Sequence, residues 1–353
     1  MAADLTRPPE RILLIRLKGI GDVILSTPLV RALRKAYPKA EIHFLTRSIA
    51  APILKHNPHV SRIWVHPEKT APILELLRFV GELHAARFDW VLDLAAEPRS
   101  AWLTLATGAH LRAGYAFRIR KWAFNHVIPK NKVRKYQAEV NLDIIRALGV
   151  PDDGHSTEIF LADTEKEWAH REWEKPELSG LKPKIGINPT GTWPSKRWPV
   201  DYWRRLISLI HDGWGVKPIL FGGPGDETIL QEVLWGIEEK VVEMPKAALL
   251  EASAFISQMD LLIGNDGTPQ HIAQAFGVKS LTLCGPHWGL GWVKPKDSRH
   301  RFLQHFLDCG PCDKNVCPFP LGVGLDRHIH QECLLKLTPS LVFANAREML
   351  DLY

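Results

Sequence analysis

The chain has 353 residues, 45% of them hydrophobic, with 45 Lys and Arg against 39 Asp and Glu and a formal net charge of +6. This composition excludes an intrinsically disordered chain, and no apolar run approaches the roughly 18 residues of a membrane span. The length exceeds one typical core and points to two domains. The first ten residues lack the apolar stretch of a secretion signal, and only five cysteines are present, so a cytoplasmic protein with reduced thiols is expected.

In chain order, Ile12 to Leu17 is an apolar strand running into Lys18-Gly-Ile-Gly-Asp22 and then a helical stretch from Val23 to Tyr37. Pro28 should break that helix, with Thr27 capping the restart. Strands follow at 41–45, 63–65 and 90–94, and helices at 73–86 and 136–148. This alternation predicts a parallel sheet covered by helices. A charged helix at 164–173 and the Pro- and Gly-containing segment 175–183 close the first half. The second half repeats the logic, with strands at 184–188, 218–222, 261–264 and 280–284 and helices at 202–211, 227–236, 249–258 and 268–276. Thr338-Pro339 opens a last helix, by an N-cap followed by proline, that is expected to cross back onto the first domain. The domains are therefore read as 1–175, a linker 176–183, a second domain 184–335 and a closing helix 336–353.

Ligands of open α/β sheets bind beyond the carboxyl ends of the strands, and four loops of this sequence lie there. The first, Lys18-Gly-Ile-Gly-Asp22, lacks the third glycine of a dinucleotide fingerprint. Asp22 either caps the helix or presents a carboxylate able to take a proton from an attacking hydroxyl. The second, Asn188 to Pro199, offers the hydroxyls of Thr190 and Thr192 and the cations Lys196 and Arg197, a set suited to diphosphate oxygens or simply a solvated surface. In the third, Phe221-Gly-Gly-Pro-Gly-Asp-Glu227, the two acids either bind ribose hydroxyls or cap a turn. The fourth, Gly264-Asn-Asp-Gly-Thr-Pro-Gln-His271, brings a helix start and its amides to the strand end, which favours phosphate.

Two further features stand apart. No Asp or Glu occurs from Pro98 to Ala138, a stretch with nine Lys and Arg interleaved with aromatics. It is either a solvated face or a site for an anionic partner with apolar parts, such as a phosphorylated lipid. No nucleic-acid motif accompanies it, so nucleic acid is not expected as a partner. Cys309-x2-Cys312-x4-Cys317-x15-Cys333 has metal-like spacing at its start, with His328 and His330 nearby, and reads either as a structural metal site or as packed, reduced thiols. Cys284 ends an apolar strand and is expected in the core.

Taken together, Lys18-Gly-Ile-Gly-Asp22 through Thr27-Pro28, Ser195-Lys-Arg-Trp-Pro199, Gly222-Gly-Pro-Gly-Asp-Glu227 and Asn265-Asp-Gly-Thr-Pro-Gln-His271 resemble glycosyltransferase family 9, the ADP-heptose:lipopolysaccharide heptosyltransferases. The resemblance implies a GT-B architecture: two Rossmann-like domains with a central cleft, the donor held mainly by the second. It implies Asp22 as general base and Lys196 near the donor diphosphate, with Thr190 and Thr192 on the same loop. Asp226 or Glu227 would meet the ribose, and Met244 to Ala247 the adenine edge. Asp266, Gly267, Thr268 and His271 would surround sugar and phosphates. On the acceptor side it assigns Gly19, Gly21, Arg99, Arg118, Arg120 and Lys121, facing an anionic glycolipid of the inner core, with transient contact at the cytoplasmic membrane face. The reaction would be an inverting single displacement without a metal or other cofactor, and no Asp-x-Asp occurs in the sequence. One departure is Asp266-Gly-Thr, where the family often has Asp-Thr-Gly or Asp-Gly-Gly, which leaves the transferred sugar open. A transferase of another activated sugar, a nucleotide-binding dehydrogenase and a non-catalytic nucleotide-sugar binder are the competing readings. The missing Gly-x-Gly-x-x-Gly counts against the dehydrogenase.

Overall fold

The computed structural model describes residues 7–68, 70–95, 97–115, 122–129, 133–319 and 330–351. Its contacts divide the chain into two units, Met1–Phe160 and Leu161–Tyr353. In the first, β1 (Arg11–Ile15) leads into the short α1 (Ile20–Ile24) and α2 (Thr27–Ala36). Then come β2 (Glu41–Thr46), β3 (Arg62–Val65), α3 (Ile73–Ala85), β4 (Trp90–Asp93), α4 (Pro98–Ala106), β5 (Leu111–Tyr115), β6 (His126–Ile128) and α5 (Gln137–Arg146). The strands pair in parallel in the order β3-β2-β1-β4-β5-β6. Ile12 to Ile15 and Val91 to Asp93 are fully buried, as strands covered on both faces must be.

The break between α1 and α2 falls where Pro28 withholds its amide. Ser26 occupies the N-cap position of α2 rather than Thr27, whose hydroxyl donates back to the Ile24 carbonyl. The Leu25 carbonyl, freed by the interruption, accepts a 2.8 Å bond from the fully buried Asn141 of α5. The Thr27 hydroxyl thus serves the Ile24 carbonyl that Pro28 cannot reach, and the buried Asn141 amide serves Leu25.

The second unit contains α6 (Asp163–Trp173), β7 (Ile185–Asn188), α7 (Val200–Trp214), β8 (Ile219–Leu220), α8 (Glu227–Leu234), β9 (Val242–Glu243), α9 (Leu249–Ile256), β10 (Leu261–Asn265), α10 (Thr268–Phe276), β11 (Lys279–Cys284), β12 (His300–Gln304), α11 (Glu332–Leu335) and α12 (Pro339–Met349). Its parallel sheet runs β12-β11-β10-β7-β8-β9. Counted from the first strand of each sheet, both units have the order 3-2-1-4-5-6 of a doubly wound dinucleotide fold. The switch points lie between β1 and β4 and between β7 and β10.

Two boundaries differ from the sequence reading. The first unit ends at 160 rather than 175, because α6 packs on α9. Trp173 stacks on Phe255 at 4.2 Å between ring centroids, and its indole N–H donates to the Phe255 carbonyl. The closing helix was expected on the first domain. Instead Val342, Ala346 and Met349 of α12 are buried in one cluster with Trp203, Leu206 and Ile210 of α7, and Phe343 stacks on Trp214. Thr338 does cap α12, accepting from the Leu341 amide at 3.3 Å. The basic tract holds α4, β5 and β6, elements that its charge had concealed. Cys284 is fully buried, as expected.

Candidate active site

At the switch point of the first sheet, the loop after β1 carries Arg16, Lys18 and Gly19, and α1 carries Gly21 and, at its third position, Asp22. The Asp22 carboxylate accepts a hydrogen bond from the guanidinium of Arg16, so it is oriented by a cation rather than spent on capping its own helix. Arg16 is itself buried and also donates to the carbonyl of Leu94, just past β4. The Asp22 side chain keeps 20% exposure and remains open to a partner. Lys18 reaches within 4.0 Å of Glu97 across the same strand ends. Beneath them Asp93 is fully buried, accepting from the Ser100 hydroxyl at 2.7 Å and the Ala95 amide at 2.9 Å.

In the second unit the strand ends are built around amides and one ion pair. Asn188 closes β7 and donates to the Phe221 carbonyl at 2.9 Å and to the Thr190 hydroxyl at 3.2 Å. Asn265 closes β10; it donates to the Pro189 carbonyl at 2.7 Å and accepts from the Trp198 amide at 3.2 Å. These bonds pin the loop 189–198 over the strand ends. That loop includes a short 3-10 turn from Pro194 to Lys196. The ammonium of Lys196 meets the Asp266 carboxylate at 2.7 Å, with the two side chains 16% and 5% exposed. Gly264 permits the closeness: a Cβ there would lie 2.9 Å from the Asn188 carbonyl oxygen and 2.8 Å from Gln270 Nε2.

His271, buried on α10, and His287, buried in the loop after β11, act on the same carboxylate. The Nδ1 of His287 lies 3.4 Å from Asp266 Oδ2, and its ring sits edge-on to Trp193 at 4.6 Å and stacks with Trp292 at 5.9 Å. Burial alone would raise the Asp266 carboxyl, but His287, Lys196 and His271 outweigh it and hold the group well below the usual carboxylate range. Asp266 therefore stays ionised and fixes Lys196, whose ammonium has two donors besides the one that Asp266 accepts. Gly267 is the N-cap and Thr268 the first residue of α10, a nine-residue helix whose open amides face the strand end.

The remaining assignments are distributed less tightly. Thr192 is exposed, and Ala247 is half-buried in the segment before α9. The Asp226 carboxylate accepts the Gly223 amide at 2.8 Å, within its own turn. Glu227 is exposed, and amides at the start of α8 hold its carboxyl below its ordinary value. The described contacts do not join either acid to the Lys196–Asp266 group. Arg99 is exposed on α4, while Arg118, Arg120, Lys121 and His328 lie outside the described residues. Cys309, Cys312, Cys317 and Cys333 are free and line one cavity of about 290 Å³ with Ser195 and Gln331. Burial raises the Cys333 thiol to about 11. Among the described residues, no three His, Cys, Asp or Glu side chains are placed to hold a metal ion.

Sequence reasoning missed Arg16 and the His287–Trp193–Trp292 group. The rule that ligands lie beyond strand ends would have found His287, three residues past Cys284, had the loop after that strand been read with the other four.

Two doubly wound units, one presenting an oriented carboxylate and the other a pinned cation beside a helix start, make up the domain content of a GT-B glycosyltransferase. A match to the glycosyltransferase family 9 (heptosyltransferase) profile covers residues 76–321, and the chain belongs to that family. It is a glycosyltransferase. Over 283 residues it is 28% identical to lipopolysaccharide heptosyltransferase 3 of Escherichia coli (strain K12), covering 75% of this chain and 79% of that protein. Its fold matches the family 9 glycosyl transferase of Veillonella parvula DSM 2008 with a TM-score of 0.83 at 23% identity, over 97% of both chains. It also matches E. coli heptosyltransferase WaaC, solved with ADP-2-deoxy-2-fluoro heptose, with a TM-score of 0.69 at 20% identity over 96% and 99% of the two chains.

Proposed function

We propose that the protein transfers a heptose from ADP-heptose to the inner core of lipopolysaccharide, a lipid A–Kdo acceptor or its extension, by an inverting displacement that needs no metal. The observation that carries this reading is the buried Lys196–Asp266 pair at the start of α10. A fixed cation beside open helix amides matches the charge that grows on a departing nucleoside diphosphate. The choice of heptose rests on the family match and on the names of the relatives above.

In this scheme Asp22 accepts the proton of the acceptor hydroxyl as that oxygen attacks the anomeric carbon and the bond to ADP breaks. Arg16 orients the carboxylate toward its task. Lys196, Thr268 and the α10 amides take the diphosphate, with His271 beside them. Thr190 and Thr192 border the same loop. Glu227 or Asp226 binds the ribose, and Ala247 borders the adenine. Gly19, Gly21 and the cations Arg99, Arg118, Arg120 and Lys121 receive the anionic glycolipid, at the cytoplasmic face of the membrane that holds it.

A thermal-shift panel of ADP-, UDP-, GDP- and CDP-sugars, followed by a transfer assay with ADP-heptose and a lipid A–Kdo acceptor, tests the reading. Selective stabilisation by ADP-heptose together with acceptor-dependent ADP release is expected. Stabilisation by another nucleotide sugar alone would replace the donor, and by NAD alone would replace the function.

A further inference from the structure

Helix α4 buries one side and exposes another in a way that folding does not require. Ser100, Ala101, Leu103 and Thr104 face inward, and Ala101 packs on Ala123 and Phe124. Outward, every third residue forms a stripe of Arg99, Trp102 and Leu105. Trp102 is 63% exposed, and the 44% exposed Trp122 packs edge-on against it at 4.8 Å. Trp122 is held in place from below, because its neighbours Ala123 and Phe124 are core and Arg112 donates to the Ala123 carbonyl. On the adjacent α3, Leu74 and Leu77 are exposed as well.

Single exposed apolar side chains are ordinary, but two large indoles packed edge to face in water form a built feature. The surrounding chain carries no acid from Pro98 to Ala138 and nine Lys and Arg. A protein partner could cover the indoles. The one-signed charge, however, selects a surface that is broadly anionic and apolar just beneath, which describes a lipid headgroup layer. An indole has an apolar body and one N–H donor, and it settles at that depth. Cations beside it add attraction to anionic lipid that salt weakens.

We propose that the Arg99–Trp102–Leu105 stripe with Trp122 is an interfacial anchor that seats the first unit on an anionic bilayer. The proposal deepens the glycolipid reading above, on which it rests for the lipid surface; the tryptophans insert to headgroup depth, and among the described residues no helix is long and apolar enough to cross a membrane.

The test is flotation of the full chain with phosphatidylglycerol–phosphatidylethanolamine vesicles or with phosphatidylcholine vesicles, at low and high salt and without any sugar substrate. The wild type should float with the anionic vesicles only, and less so in high salt. The double variant Trp102→Ala/Trp122→Ala should partition at least about tenfold less, since binding scales with the apolar area inserted. Leu105→Gln supplies a second variant on the same stripe should the double variant fail to fold. Transfer to a lipid-free acceptor should be unchanged in every variant that folds, so loss of vesicle binding and loss of function are read separately. The proposal is overturned if the wild type ignores anionic vesicles, if the variants bind them equally, or if the tryptophans instead support a dimer by size exclusion. Vesicle binding without any glycosyl transfer would sink the functional reading and leave the anchor standing.

Discussion

The two units share a strand order but place opposite chemistry at the same topological point. In the first, Ile15 pairs with Asp93 at the last register of β1 and β4; in the second, Asn188 pairs with Gly264 at the corresponding register of β7 and β10. The first unit needs room for a buried carboxylate that organises its own loop and leaves Asp22 partly open above it. The second removes a side chain altogether, so that Asn188, Gln270 and the loop bearing Lys196 draw close. Arg16 orients an acid in one unit, and Asp266 fixes a cation in the other. A doubly wound sheet thus supplies the place, and a few side chains at the strand ends decide which partner is served.

The comparison can be broken most forcefully at Lys196. Lys196→Ala should lower kcat/KM for the donor by about two to three orders of magnitude, the scale of losing one preorganised charge at a leaving group. It also strands a buried carboxylate, so the unfolding free energy should fall by roughly 3 kcal/mol in denaturant titration. If donor turnover survives, the second unit is not the half that stabilises the leaving group.

Acid sharpens the contrast inside the second unit. Burial lowers the His300 imidazole to about 4, partly offset by Asp297, with Lys294 and Arg299 lowering it further. The unfolded chain then binds more protons between about pH 6.5 and pH 4, so stability is full above that window and falls as pH drops through it. The loss should be on the order of 3 kcal/mol, and His300→Asn should flatten that slope in urea titrations at stepped pH. The Asp266 carboxyl is depressed in the same direction, so it adds to the acid sensitivity at lower pH: its stabilising share is present above about pH 4 and disappears as pH falls through its folded value.

Gly264→Ala places a methyl against the backbone oxygen of Asn188, and roughly 1–3 kcal/mol of stability should be lost with weaker donor binding. An unchanged melting temperature would mean that the close approach at this switch point is dispensable. The smallest effect is expected at the exposed Glu227. Glu227→Ala should raise the donor KM by about tenfold or less, the worth of one sugar hydrogen bond, with kcat preserved.

Much of this organisation was legible in the sequence, for reasons visible in particular residues. Strands buried on both faces read as apolar runs, and β1, β4, β7 and β10 fell where such runs stand. Pro28, Thr338 and Pro339 act through local backbone chemistry, so helix starts followed from them within a residue. Tertiary partners were harder to read. The segment 175–183 has a linker's composition, yet the chain divides earlier because Trp173 finds Phe255, 82 positions away. The edge strand β12 is only half-buried and lacks an apolar run. The hand that Arg16 lends Asp22 depends on the geometry of a loop, which spacing does not encode.

The central claim is that Asp22 serves the acceptor while the Lys196 loop serves the donor. It is met most directly by measuring donor affinity and single-turnover transfer together on Asp22→Asn, an exchange that keeps the shape and removes the base. Donor affinity within about threefold of wild type, with transfer slowed by at least about two orders of magnitude, is the expected result. Transfer within threefold of wild type would contradict it.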